Sequence, residues 1–75
     1  MRIYLNEFVK ITNFVHEATK FCEQIDVLSG NYVVNAKSLL GVMSLNLSEP
    51  VEAVIRSDDQ DVVRRFNDVC SKYHD

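Results

Sequence analysis

The feature of this sequence that most restricts its fold is how often the apolar period changes within 75 residues. Ile3 and Leu5 alternate with Arg2, Tyr4 and Asn6, the two-residue period of a short strand. From residue 8 the step lengthens to three and four, through Phe8, Ile11, Val15, Ala18 and Cys22, with Phe14 and Phe21 widening the stripe. This predicts an amphipathic helix of about four turns, with Asn6 as N-cap and Glu7 in the first turn, where its charge favours the helix dipole. Lys10, Asn13, Glu17 and Lys20 fall on its polar face. Ile25 and Val27 return to alternation, as do Tyr32, Val34 and Ala36. Between them Ser29-Gly30-Asn31 is a turn signal, because Gly30 and Asn31 tolerate positive φ, so residues 25–36 read as a β-hairpin. Ser38 stands where an N-cap would open a short helix over residues 39–45. Ser48-Glu49-Pro50 reads as a loop, and Val51, Ala53 and Ile55 as a last strand. Ser57-Asp58-Asp59-Gln60 matches a capping box, ahead of a long amphipathic helix traced by Val62, Val63, Phe66, Val69, Cys70 and Tyr73.

The predicted order is therefore β-α-β-β-α-β-α in one α+β domain spanning residues 1–75. Four strands and three helices in so short a chain bury their apolar sides only if the helices share one face of a mostly antiparallel sheet. Hydrophobic residues make up 47% and charged residues 25%, enough for a core and inconsistent with a disordered chain.

Charge and composition exclude several functions. Net charge is −3, and the basic pair Arg64-Arg65 is flanked by Asp61 and Asp68, so no nucleic-acid surface is expected. No apolar run approaches the ~18 residues of a membrane span, and residues 1–7 lack the apolar stretch of a signal peptide; the expectation is a cytoplasmic protein. Gly30 and Gly41 are the only glycines, too few for a phosphate-cradling loop, and no cofactor is expected. Cys22 and Cys70 both fall at apolar helical positions and read as reduced core thiols. His16 and Cys22 lie on different sides of a helix, and Cys70 with His74 supplies only two ligands, so no metal site is expected. His16 has no partner for nucleophilic catalysis and is expected on the helix surface, beside the short helix.

One segment carries a specific resemblance. Val34-Asn35-Ala36-Lys37-Ser38-Leu39-Leu40-Gly41-Val42-Met43-Ser44-Leu45 is similar, without gaps, to the regulatory-serine segment of HPr, the histidine-containing phosphocarrier of the bacterial sugar phosphotransferase system. The likeness extends upstream through Lys20-Phe21 to Gly30-Asn31 and downstream through the last strand and helix, covering residues 8–74. It implies the family's open-faced β-sandwich. It also implies that Ser38 is a site of regulatory phosphorylation, beside its plain role as an N-cap, and that Leu39, Leu40 and Met43 form a partner-binding patch. The bare reading of the same segment assigns Leu40 or Val42, together with Leu45, to the core.

The family's phosphocarrier motif, G-[IL]-H-A-R-P-A, is where the chain departs. Extending the ungapped match upstream places Leu5-Asn6-Glu7-Phe8-Val9-Lys10-Ile11 there. The histidine position falls on Glu7 and the arginine position on Val9, and the first strand and loop are shortened. Phosphohistidine chemistry needs a neutral imidazole nucleophile and cationic or amide groups to receive the anion. A carboxylate at Glu7 repels phosphate and Val9 neutralises nothing, while His16 lies nine residues further on. No catalytic residue is expected. The resemblance then implies a non-catalytic regulatory, protein-binding module, like Crh in lacking the histidine, and HPr kinase or a transcriptional regulator is the partner expected for this chain. Glu7 is a plain helix-start carboxylate on this reading, or a fixed charge imitating a phosphorylated carrier. The alternatives are a phosphocarrier using a different residue, and a dimerisation domain unrelated to sugar transport.

Overall fold

Gly30 turns the chain at φ +58°, the one positive-φ position among the described residues, and sets Ser29 opposite Tyr32, Leu28 opposite Val33 and Val27 opposite Val34. Around this hairpin the computed structural model, which describes residues 1–74, arranges seven elements. They are β1 (Arg2–Ile3), α1 (Phe8–Thr19), β2 (Ile25–Ser29), β3 (Tyr32–Asn35), α2 (Leu39–Met43), β4 (Val51–Ile55) and α3 (Gln60–Ser71). The strands form one sheet in the order β1-β4-β2-β3, antiparallel throughout. β4 lies between β1 and β2, with Ile3 opposite Val51 and Ala53 opposite Val27.

Because side chains alternate across a strand, this register sorts the sheet into two faces. Ile3, Val51, Ala53, Val27, Ile25 and Val34 face the helices, and the first five are buried. Ile11, Phe14, Val15 and Ala18 of α1, Val42 of α2, and Val62, Phe66 and Cys70 of α3 cover them. Phe14 meets Tyr73 edge-on at 5.5 Å between ring centroids, and Phe21 meets Phe66 at 6.0 Å, the arrangement that ring quadrupoles favour. Arg65 lies over the outer face of Phe21 at 5.3 Å. A backbone bond from Tyr4 N–H to Tyr73 O at 2.8 Å ties the end of α3 to the chain leaving β1. The opposite face of the sheet carries Arg2, Glu52, Leu28, Val33, Val54 and Asp26. Asp26 is 6% exposed, and its carboxylate accepts from Arg56 Nε at 3.0 Å and Gln24 Nε2 at 3.2 Å, which supplies the partners a buried charge needs.

The α+β class, the element order and the four-stranded sheet with three helices on one face are as the sequence predicts. Several local expectations are corrected. α1 has 12 residues and is shorter than four turns. Phe8 is its first residue and is 61% exposed; Ile11, one turn later, is the first to reach the core. Asn6 is not the N-cap: its side chain accepts from Lys10 Nζ, and extended Glu7 takes the cap position with no side-chain bond. Lys20 N–H closes the helix on Glu17 O, so the helical period ends before residue 22. Phe21 turns inward and Cys22 is exposed, not a core thiol. α2 stops at Met43, two residues early. Ala36 lies just past β3 but is fully buried, its N–H bonded to Ile25 O. The capping box before α3 does not form. Asp59 caps instead, accepting from Asp61 N–H at 2.9 Å, while Ser57 Oγ accepts from Asp59 N–H. Gln60 already belongs to the helix and cannot reach back.

Candidate functional site

α1 and α2 pack on one another. α2 is built by its approach. Asn35 folds the chain back through bonds from Lys37 N–H to its side-chain oxygen (2.8 Å) and from Ser38 N–H to its carbonyl (3.0 Å). Lys37 Nζ then reaches the carbonyl of Phe21 at 2.6 Å. Extended Ser38 caps the helix as expected, its Oγ accepting from Gly41 N–H at 3.1 Å. Gly41 lies close to the cap: a Cβ there would stand 3.2 Å from Ser38 Oγ and 3.6 Å from Val34 Cβ.

A helix of five residues offers two pairs at i, i+3. Leu39 and Val42 form the inner pair: Val42 is fully buried and Leu39 is half-buried against the core. Leu40 and Met43 form the outer pair, 81% and 44% exposed. Of the two residues the bare sequence reading offered as core, Val42 is inside and Leu40 is outside, with Leu45 partly buried. Of the three patch residues, Leu40 and Met43 are open to solvent and Leu39 contributes only its edge.

At the opening of α1, Phe8 and Val9 are 61% and 66% exposed, a second apolar pair, of which sequence periodicity assigned Phe8 to the core side. The side chain of Glu7 beside them is 67% exposed and stands 3.9 Å from Lys10 Nζ, a solvent-screened pair of little energetic weight. No imidazole occupies this turn. His16 is exposed two turns further along α1 and lines a shallow cleft of about 280 Å³ with Asn13, Glu17, Lys72 and Tyr73, where Lys72 Nζ bonds Glu17 at 3.0 Å. It therefore lies toward the end of α3 and not beside α2.

The thiols differ sharply. Burial pushes the Cys70 thiol up from 9.0 to about 11, which keeps it protonated and unreactive; Cys22 is free at the surface. Burial and, after it, the charge of Glu17 raise the Tyr73 hydroxyl. Among the described residues no group of three or more His, Cys, Asp or Glu side chains is placed to hold a metal, and no helix is long and apolar enough to cross a membrane. The closeness of Gly41 to its cap and the exposure of the Phe8–Val9 pair escaped the sequence reading. The signal for the first was a glycine three residues after a capping serine; for the second, two apolar residues ahead of the first helical residue that can reach the sheet.

Four antiparallel strands ordered β1-β4-β2-β3, with three helices on one side and the other side open, define an open-faced β-sandwich protein. A family model described as the PTS HPr component phosphorylation site matches residues 10–71, and the chain belongs to this family of phosphotransferase-system phosphocarriers. Glu7 and Val9 precede the matched span. Among solved structures, HPr-C-His from Thermoanaerobacter tengcongensis is 29% identical over 96% of this chain and 90% of that one, with a TM-score of 0.75. An HPr dimer from the same organism is 32% identical over 83% and 75% of the two chains, with a TM-score of 0.65. Crh, the Bacillus subtilis catabolite-repression protein, shares the fold at 24% identity over 97% and 86%, with a TM-score of 0.67.

Proposed function

We propose that this chain is a non-catalytic, cytoplasmic regulatory member of the HPr family, one that docks protein partners through α2 and does not relay phosphate through histidine. The observation that carries this reading is the outer pair of α2: Leu40, 81% exposed, and Met43 are two large apolar side chains on a helix too short to hide them. Leu39 borders the outer pair, and Phe8 and Val9 on α1 are two further exposed apolar side chains.

Glu7 is assigned to the family's histidine position and Val9 to its arginine position. A carboxylate there is acceptor-only and negatively charged, so it neither attacks phosphorus as imidazole does nor shelters the transferred anion. Ser38 is assigned as a regulatory phosphorylation site. Its side chain is exposed and it stands at the edge of the docking pair, so a phosphate of about −1.5 to −2 charges would change what that surface accepts. Suitable partners are an HPr kinase acting on Ser38 or a transcriptional regulator binding the patch.

Three measurements test this. Incubation with phosphoenolpyruvate and enzyme I is expected to leave the intact mass unchanged; a phosphoryl adduct overturns the non-catalytic assignment. Treatment with HPr kinase and ATP is expected to modify Ser38 alone; an unmodified Ser38 leaves it only a capping role. Binding of the kinase is expected to be abolished by Leu40→Asp with Met43→Asp, and binding that survives both removes α2 as the docking element.

A further inference from the structure

Beyond the outer pair of α2 lies a cleft that docking does not use. The hairpin turn between β2 and β3 and the segment leaving α2 stand apart and form the walls of an open cleft of about 660 Å³, within the ~300–1,000 Å³ typical of small-molecule sites. Its polar lining comes from Ser29, Asn31, Tyr32, Ser44, Asn46 and Glu49. Tyr32 is 71% exposed. It shares the helix-facing side of β3 with Val34, but α2 does not extend over it, so its ring is left as an uncovered apolar wall beside hydroxyl and amide groups.

The lining chemistry selects the ligand. No Lys, Arg or His lines the cleft, so an anionic ligand would meet the Glu49 carboxylate with no compensating charge. Glu49 accepts a single long contact within the protein, from Asn46 Nδ2 at 3.5 Å, and its remaining lone pairs are open to donors from a ligand. Ser29, Asn31 and Tyr32 offer both donors and acceptors. An ammonium ligand would satisfy the carboxylate but leave their donor groups unanswered. A hydroxyl answers both, and the flat C–H face of a sugar ring matches the exposed ring of Tyr32. We propose that this cleft binds a neutral, polyhydroxylated ring such as an unphosphorylated sugar. It shares no lining residue with the α2 outer pair, and it holds or fails independently of the regulatory reading. Ser44 joins the two places: its hydroxyl donates to Gly41 O at 2.6 Å and its N–H closes α2 on Leu40 O.

The test is a titration of the ¹⁵N-labelled full chain with methyl α-D-glucopyranoside to tens of millimolar, followed by amide shifts. Saturable shifts are expected at residues 29–32 and 44–49. Tyr32→Ala and Glu49→Gln, both at exposed side chains that leave the core untouched, are expected to weaken binding about tenfold each, equivalent to ~1.4 kcal/mol. Glucose 6-phosphate is expected to bind more weakly than the neutral glycoside. The proposal is overturned by an absence of saturable shifts in the cleft, by equal or tighter binding of the phosphorylated sugar, by undiminished binding in Tyr32→Ala, or by putrescine shifting the same amides when the glycoside does not.

Discussion

The contact between Ser38 and Gly41 yields a prediction whose sign is set by geometry. Replacing an exposed helical glycine by alanine ordinarily stabilises by about 0.8–1 kcal/mol, through the lost backbone freedom of glycine. At position 41 the new methyl would meet Ser38 Oγ at 3.2 Å, tighter than an ordinary contact, so the hydroxyl must give by a few tenths of an ångström. That strains its bond with Gly41 N–H, now 3.1 Å, and offsets the gain by weakening a cap worth ~1 kcal/mol. Gly41→Ala in the native background is therefore expected to be near neutral. Ser38→Ala alone is expected to cost ~1 kcal/mol. In the double variant the obstructing hydroxyl is already absent, while Val34 Cβ at 3.6 Å is ordinary contact, so Gly41→Ala regains its full benefit and the double variant returns close to native stability. The coupling is at most about 1 kcal/mol, equivalent at that limit to ~4–8 °C in Tm for a domain this small, and is read from Tm or from guanidinium midpoints at constant m. Additivity within ~0.3 kcal/mol would refute the assigned contact.

Phe14 is fully buried and stacked edge-on against Tyr73, so Phe14→Ala is expected to cost ~3–5 kcal/mol, most of the stability of a small domain, as read by denaturant titration. In the folded protein, iodoacetamide is expected to label exposed Cys22 and spare Cys70; peptide mapping that finds Cys70 modified at native stability refutes its burial. Because the folded-state thiol of Cys70 is raised from 9.0 to about 11, the folded chain keeps a proton that the unfolded chain releases. Its contribution is complete below about pH 9 and is lost as pH climbs toward about 11, by up to ~2–3 kcal/mol, with the raised Tyr73 hydroxyl acting in the same direction. Cys70→Ala is expected to flatten the alkaline slope of stability; an unchanged slope refutes the assignment.

What was legible in the sequence divides along the reach of the forces involved. The hairpin was legible because the requirement for φ +58° at Gly30 is written in a single residue. The cap was legible because Ser38 bonds only three residues away, and the last helix because Val62, Phe66, Cys70 and Tyr73 repeat at fixed steps. The facing of α2 was not. Leu39 with Val42 and Leu40 with Met43 are equally apolar pairs, and what separates them is that Leu39 and Val42 pack against the core, a contact between elements. Cys22 was misplaced for a similar reason: the period continues past Thr19 on paper, but Lys20 ends the helix. The cleft beside Tyr32 had no signal, since its walls are brought together only when the hairpin and the exit of α2 pack.

The strand order has a consequence for how the chain comes together in time. β2 and β3 are neighbours along the chain and can zip as soon as both exist, whereas β1 has no partner until β4, some fifty residues later, has been made. Ile3 and Leu5, both wholly enclosed at the end, must wait in solvent through most of synthesis, and closure of the loop joining β1 to β4 is the late, entropy-laden step. Ribosomal arrest before residue 51 should yield a nascent chain with a hairpin but an unsealed flank.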